Sequence, residues 1–384
     1  MKHYYQCIKC NNIYSRLEDI CVHDQYYDYV NVLYDYESIK KLPNEKKKSL
    51  LKKLLPIKEN LITLGEGNTP LIRINNFSSA CKNNFVYVKN EGQNPTGSFK
   101  DRESALIISK AKELGYAKVV NVSSGNAALS AAVYANKVKI ECECFIPQHT
   151  SKTKKQILQL YSSTFHTVKE DYETIYRRVA DHPIKNAWNI TSGQNFYREE
   201  GSKKIAYEIW EEIGVPDSVI IPIGNGALFS AVYKGFKELK KIGLTKKLPD
   251  FIGVQIKNAS PIAKAVKNNS DYEVLNKIPD SVAEGIIARE SYSSPKVIKA
   301  LRENKSRLIE VTDSETIKAL EDIIKIESLT PEPTSAVVYA AFKKMKVQEK
   351  GKKIVCIQTG NGMKNLEEIL KVIKYKEKNN IKCE

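Results

Sequence analysis

Short apolar runs alternate with amphipathic stretches through most of this chain. Runs of five to seven residues at Phe85–Lys89, Lys118–Val122, Ile140–Ile146, Val219–Ile223, Phe251–Ile256 and Lys353–Gln358 predict strands. Between them, 3.6-residue periodicity predicts helices over Ser98–Leu114, Ala127–Asn136, Lys152–Tyr161 and Leu228–Lys240. In the first of these, Leu106, Ile107, Ala111 and Leu114 form one face. Strand–helix alternation predicts parallel sheets with crossover helices, an α/β fold whose ligands bind where strand C-termini meet helix N-termini. Residues 36–56, rich in Lys and Leu, predict one amphipathic helix leading to Pro56, and the polar tail Lys374–Glu384 is expected to fray.

Residues 1–35 follow another pattern, with Tyr at 4, 5, 14, 26, 27, 29 and 34. Cys7-x-x-Cys10 has the form of a zinc-ribbon knuckle, but the second half is Cys21-Val22-His23, away from ribbon spacing. A degenerate ribbon without metal is therefore expected. Of the eight cysteines, Cys142, Cys144 and Cys356 lie in strand-like runs and read as small core residues.

Charge and composition narrow the class. The 384 residues carry 61 Lys and Arg against 45 acids, a net +16. Only 9 of the cations are Arg, and the 52 Lys are scattered, so the excess reads as compositional bias and solvated faces rather than a nucleic-acid groove. No apolar run reaches the ~20 residues of a membrane helix, and the N-terminus lacks the apolar core of a signal peptide. A cytoplasmic enzyme with neither nucleic acid nor membrane as partner is the expectation. The scarcity of Arg also gives weight to the few that fall inside motifs.

Three Gly-containing turns follow strands: Ser123-Ser124-Gly125-Asn126, Gly224-Asn225-Gly226-Ala227 and Thr359-Gly360-Asn361-Gly362. Such turns opening helices gather backbone N–H groups at the positive dipole end and suit anions. None matches a Walker A or dinucleotide fingerprint. A fourth segment, Asn94-Pro95-Thr96-Gly97-Ser98-Phe99-Lys100-Asp101-Arg102, places a lysine in the first turn of a helix. The helix end lowers its pKa and favours neutral-amine chemistry of the Schiff-base kind.

This last string resembles the cofactor-lysine motif of threonine synthases, fold type II pyridoxal-phosphate enzymes. Gly65-Glu66-Gly67-Asn68-Thr69-Pro70-Leu71, Asn195-Phe196-Tyr197-Arg198-Glu199-Glu200-Gly201, Gly224-Asn225-Gly226, Glu332-Pro333-Thr334-Ser335-Ala336 and Thr359–Lys364 resemble further motifs of that family in order. The resemblance implies two parallel-sheet domains with helices on both faces, tryptophan-synthase-β-like: a large cofactor domain over 36–105 and 190–384, and a small domain over 106–189, after the ribbon-like segment 1–35. It implies pyridoxal 5'-phosphate bound covalently to Lys100, with Phe99 beside it. Asn126 would meet the 3'-oxygen, Gly224, Asn225, Gly226, Ala227 and Leu228 the 5'-phosphate, and Thr359 the pyridine nitrogen. Ser123, Ser124, Gly125 and Ala127 would line the substrate site, and Arg198 would grip a substrate phosphate.

The implied reaction converts O-phosphohomoserine and water to threonine and phosphate in a homodimer. Alternatives are β-replacement on O-phosphoserine, as in cysteate synthase, or dehydration of serine or threonine. A non-catalytic nucleotide- or nucleic-acid-binding module is the reading from another class. Four departures fall where the substrate side chain would sit. Glu103 follows Lys-Asp-Arg, Ala127 replaces a hydroxyl residue, Ser192-Gly193 stand for Asn-Ser, and Ser281–Ile286 resembles the dehydratase branch.

Overall fold

In the computed structural model the described residues are 2–378, apart from Ser124, His149, Ser151, Ser162, Ile278, Lys305, Lys346 and Gln348. Three sheets organise the chain. The first is antiparallel and N-terminal: β1 (His3–Cys7) lies between β2 (Ile13–Tyr14) and β3 (Val30–Tyr34). The second holds β4 (Leu71–Ile74), β5 (Phe85–Asn90), β10 (Ser218–Pro222), β11 (Asp250–Ile256), β12 (Arg307–Val311) and β13 (Lys353–Gln358), in the order β12-β11-β10-β13-β5-β4. It is parallel except at the β4 edge. The third, ordered β8-β7-β6-β9, comprises β6 (Lys118–Val122), β7 (Glu141–Pro147), β8 (Thr164–Val168) and β9 (Ala187–Asn189), all parallel.

Central strands of both parallel sheets are covered on both faces. Val219, Ile220, Ile221, Val355, Cys356 and Ile357 are all 0% exposed. That is why they read as unbroken apolar runs rather than alternating ones. Cys142 and Cys144 are buried within β7, as their surroundings in the sequence implied.

Two local expectations change. Residues 36–56 do not form one helix: Pro43, which cannot donate to the ladder, separates Tyr36–Lys40 from Asn44–Leu51. Leu114 is not on the buried face of its helix. It is the C-cap of Lys100–Glu113 and half exposed, while Leu106, Ile107 and Ala111 are fully buried. The last helix runs Leu366–Lys378, so it extends into the tail expected to fray; the rest of that tail lies outside the described residues.

Candidate active site

The Pro-Thr-Gly turn is fixed from both sides before the lysine helix begins. Asp101, buried, accepts from the Thr96 backbone N–H (2.6 Å), the Thr96 hydroxyl (2.6 Å) and the Ser130 hydroxyl (2.6 Å). Arg102 turns away and forks onto Glu91 (2.6 and 2.9 Å) and Glu208 (2.6 and 2.7 Å). Lys100, between these anchors, heads the helix Lys100–Glu113, which no side chain caps. Across the site, the Phe99 N–H donates to Thr359 O (3.0 Å) and the Asn361 N–H to Gly97 O (2.9 Å), tying the lysine turn to the C-terminal Gly turn.

Lys100 Nζ lies 3.0 Å from a Glu103 carboxylate oxygen and 4.2 Å from the centre of the Phe99 ring. Burial lowers its pKa first; Arg198 lowers it further, and Glu103 opposes both. Glu103 is fully buried, which pushes its carboxyl up, but Lys100 and then Arg198 outweigh burial and hold it below the ordinary range. Arg198, also 0% exposed, donates through Nε to Glu103 (2.8 Å) and through Nη1 to Ile190 O (2.7 Å). Its Nη2 is buried without a hydrogen-bond partner among the described residues. Glu199 and Glu200 do not pair with it. They serve Lys296, and Lys203 and Lys234, respectively.

The other sequence-predicted residues fall around this line. Asn126 begins the helix Asn126–Lys137, behind Gly125 and with no side-chain cap. Its amide donates to the Glu332 carboxylate (3.0 Å) and accepts from Lys364 Nζ (2.7 Å), which also reaches Gly97 O (3.0 Å). Ser123 donates from its backbone to Phe145 O, and Ala127 is buried. Ser124 lies outside the described residues. Thr359 Oγ1 sits 2.8 Å from Ser335 Oγ.

Gly226 has φ +92°, and a Cβ there would come within 2.8 Å of Val297. Gly224 packs so closely on Ile286 that a Cβ would lie 3.1 Å from its Cα, which places the dehydratase-like segment against this turn. Ser293 N–H fixes Asn225 O (2.8 Å) and Ser291 Oγ fixes Gly224 O (2.6 Å). The 15-residue helix Ala227–Lys241 then starts with its first N–H groups uncapped by any side chain, with Ala227 and Leu228 in its first turn.

Sequence reasoning passed over three charged residues here. Glu103 was visible only as a departure; Glu332 and Lys364 sat inside quoted motifs. Their signal was a charge next to a helix start or a Gly turn, and the fold buries Glu103 fully and Glu332 to 6% exposure.

The donors fit a pyridoxal phosphate. An uncapped glycine-led helix start suits its phosphate, a lysine with lowered pKa suits its carbonyl, and a neutral hydroxyl is available for its ring nitrogen. Comparison with known proteins agrees. Residues 62–360 match the family model described as pyridoxal-phosphate dependent enzyme. The chain belongs to that family, and its architecture is fold type II.

Closer relatives carry the name further. It is 33% identical over 379 residues to the threonine synthase of Methanosarcina acetivorans (96% of this chain, 93% of that protein). With that of Methanocaldococcus jannaschii it shares 32% over 377 residues (94% and 92%). The chain is a member of the threonine synthase family, a threonine-synthase-like pyridoxal-phosphate-dependent carbon–oxygen lyase. Solved structures share the fold at lower identity. A fungal L-serine ammonia-lyase from Rhizomucor miehei has TM-score 0.69 at 18% identity (79% of this chain, 98% of that one). Maize serine racemase has 0.67 at 20% (89% and 99%).

Proposed function

We propose that the protein cleaves phosphate from O-phosphohomoserine and adds water to give threonine, acting as a cytoplasmic homodimer. The observation that carries the substrate reading is Arg198: a buried guanidinium with one unpartnered Nη2, joined through Glu103 to Lys100. A buried donor without a partner is costly, by about 1–3 kcal/mol, unless a ligand supplies the acceptor.

When bound, pyridoxal phosphate supplies an electron sink for a carbanion at the amino-acid Cα. The chain does the rest. Lys100, its amine pKa lowered by burial, takes the proton from Cα; loss of a Cβ proton then supplies the electron pair that expels phosphate from Cγ, and a proton is returned as water adds at Cβ. Glu103 sets how readily that amine holds a proton. The uncapped start of the Asn126 helix receives the substrate carboxylate. Arg198 Nη2 donates to the substrate phosphate and keeps it in place as its bond to Cγ breaks. Thr359, a hydroxyl held by Ser335, would meet the ring nitrogen and, unlike a carboxylic acid, would not protonate it, so the sink would be milder.

A second reading rests on the same arginine. Glu103 already holds Nε of Arg198, and Ala127 offers no hydroxyl, so the pocket also fits elimination from serine or threonine or replacement on O-phosphoserine. A panel of these amino acids, each assayed for phosphate, ammonia and threonine, separates the two. Release of phosphate with threonine from O-phosphohomoserine supports the first; ammonia and a 2-oxo acid from unphosphorylated substrates support the second.

A further inference from the structure

Away from the active site, the N-terminal segment brings Cys7, Cys10, Cys21 and His23 together, with one ligand atom of each within 4.8 Å of all the others. Cys10 Sγ lies 3.4 Å from Cys21 Sγ, and Cys21 Sγ 3.3 Å from His23 Nε2. Tetrahedral zinc with bonds of about 2.3 Å to sulfur and 2.0–2.1 Å to nitrogen sets ligand atoms roughly 3.6–3.8 Å apart. The cluster is thus at coordination scale. From these four side chains we infer that the protein carries a structural zinc ion held by three thiolates and one imidazole.

The backbone supports this. Cys7 ends β1, its N–H donating to Asn12 O (3.0 Å), and the Asn11 N–H returns to Cys7 O (2.8 Å). Asn11 takes φ +61°, which closes the turn and aims Cys7 and Cys10 at one point. The Cys21-x-His23 spacing, which argued against a metal in the bare sequence, has a simple geometry. In an irregular, extended stretch, residues i and i+2 share a face. Val22 between them is 78% exposed, while Cys21 Sγ and His23 Nε2 approach each other to 3.3 Å. Four protein ligands close the coordination shell, as in structural rather than catalytic sites.

The surroundings fit too. Three thiolates around a divalent ion leave one net negative charge. Lys299 Nζ reaches the Cys7–Cys10 turn, donating to Ile8 O (3.2 Å) and Asn11 Oδ1 (3.0 Å). Beneath lies an aromatic cluster of Tyr27, Tyr29, Tyr176 and Tyr292, the last two stacked at 3.5 Å and 2°. Tyr292 is followed by Ser293, whose N–H holds Asn225 O. The knuckle is therefore two packing steps from the Gly224–Gly226 turn.

The test uses the full-length, untagged protein, purified in reducing buffer without added metal or chelator. Elemental analysis should give one zinc per chain, and X-ray absorption should give three sulfur neighbours and one nitrogen. Cys10→Ser and His23→Ala, both at exposed positions, should each lower zinc to background while the visible cofactor absorbance persists. Should either variant fail to fold, mercurial titration of wild-type thiols, with a chromophoric chelator present, should release one equivalent of zinc. Metal-free protein, another metal at the site, zinc undiminished in both folded variants, no zinc released by the mercurial, or a Cys10–Cys21 disulfide in freshly purified protein would each overturn the assignment.

Discussion

Around the lysine turn and the two C-terminal Gly turns, the frame is backbone. Phe99 N–H meets Thr359 O, Asn361 N–H meets Gly97 O, and Ser293 N–H meets Asn225 O. Along the lysine helix and Arg198, side-chain charge takes over, and the line Lys100–Glu103–Arg198 runs from a partly exposed Lys100 to a fully buried Glu103 and Arg198. A backbone frame demands glycine and tight turns at set places and tolerates little else. A charged line can be retuned by one substitution without moving the fold. The first is therefore the more exacting of the two, and the second the more easily altered.

The largest effect should come where the two sides meet. Lys100→Ala is expected to lower turnover by at least about 10⁴-fold and remove the visible cofactor band, with little change in thermal midpoint. Borohydride reduction of the wild type and peptide mapping should place the pyridoxyl group on Lys100; a label on another lysine would break the comparison. On the backbone side, Gly226→Ala puts a side chain at φ +92° and 2.8 Å from Val297. Strain of about 1–3 kcal/mol should weaken cofactor binding by roughly ten- to a hundredfold, measured by titration of the apoenzyme.

On the charged side, Arg198→Lys keeps the charge but loses the fork. The KM for a phosphorylated substrate should rise by about tenfold or more while cofactor affinity stays put. Glu103→Gln removes the one group that raises the pKa of Lys100, so that pKa should fall further, moving the acid limb of the pH–rate profile to lower pH. The smallest effect should be on the scaffold. Burial opposes ionisation of Glu200 and Glu208, yet Lys203 and Lys234 around one, and Arg102 and Lys89 around the other, hold both at about 2 against an ordinary 4.5. A lowered carboxylate contributes stability above the unfolded value and loses it as pH falls through the folded one. The urea midpoint should therefore decline between about pH 4.5 and 2, and hold steady just above that range.

Much of this was legible in the sequence because the relevant physics is local. Val219–Ile223 and Lys353–Gln358 announced central strands by being apolar throughout, and the lysine motif singled out the candidate site. The edge strands β4, β8, β9 and β12 gave no such signal. Thr164–Val168, for instance, has no fully buried residue and reads like a loop. Glu103 was seen as a departure, but its partner Arg198 lies 95 positions away, and no local pattern links them. Cys21 and His23 show the converse: a spacing rule taken from other ribbons does not reveal that these two side chains gather with Cys7 and Cys10.

The most direct test of the account follows oxygen. Elimination breaks the Cγ–O bond of O-phosphohomoserine, so the released phosphate keeps that oxygen, and water is added at Cβ. In ¹⁸O-water the enzyme should yield threonine carrying one solvent oxygen on its hydroxyl and phosphate carrying none. Label in the phosphate, with homoserine rather than threonine as the product, would show simple phosphoester hydrolysis and contradict the lyase.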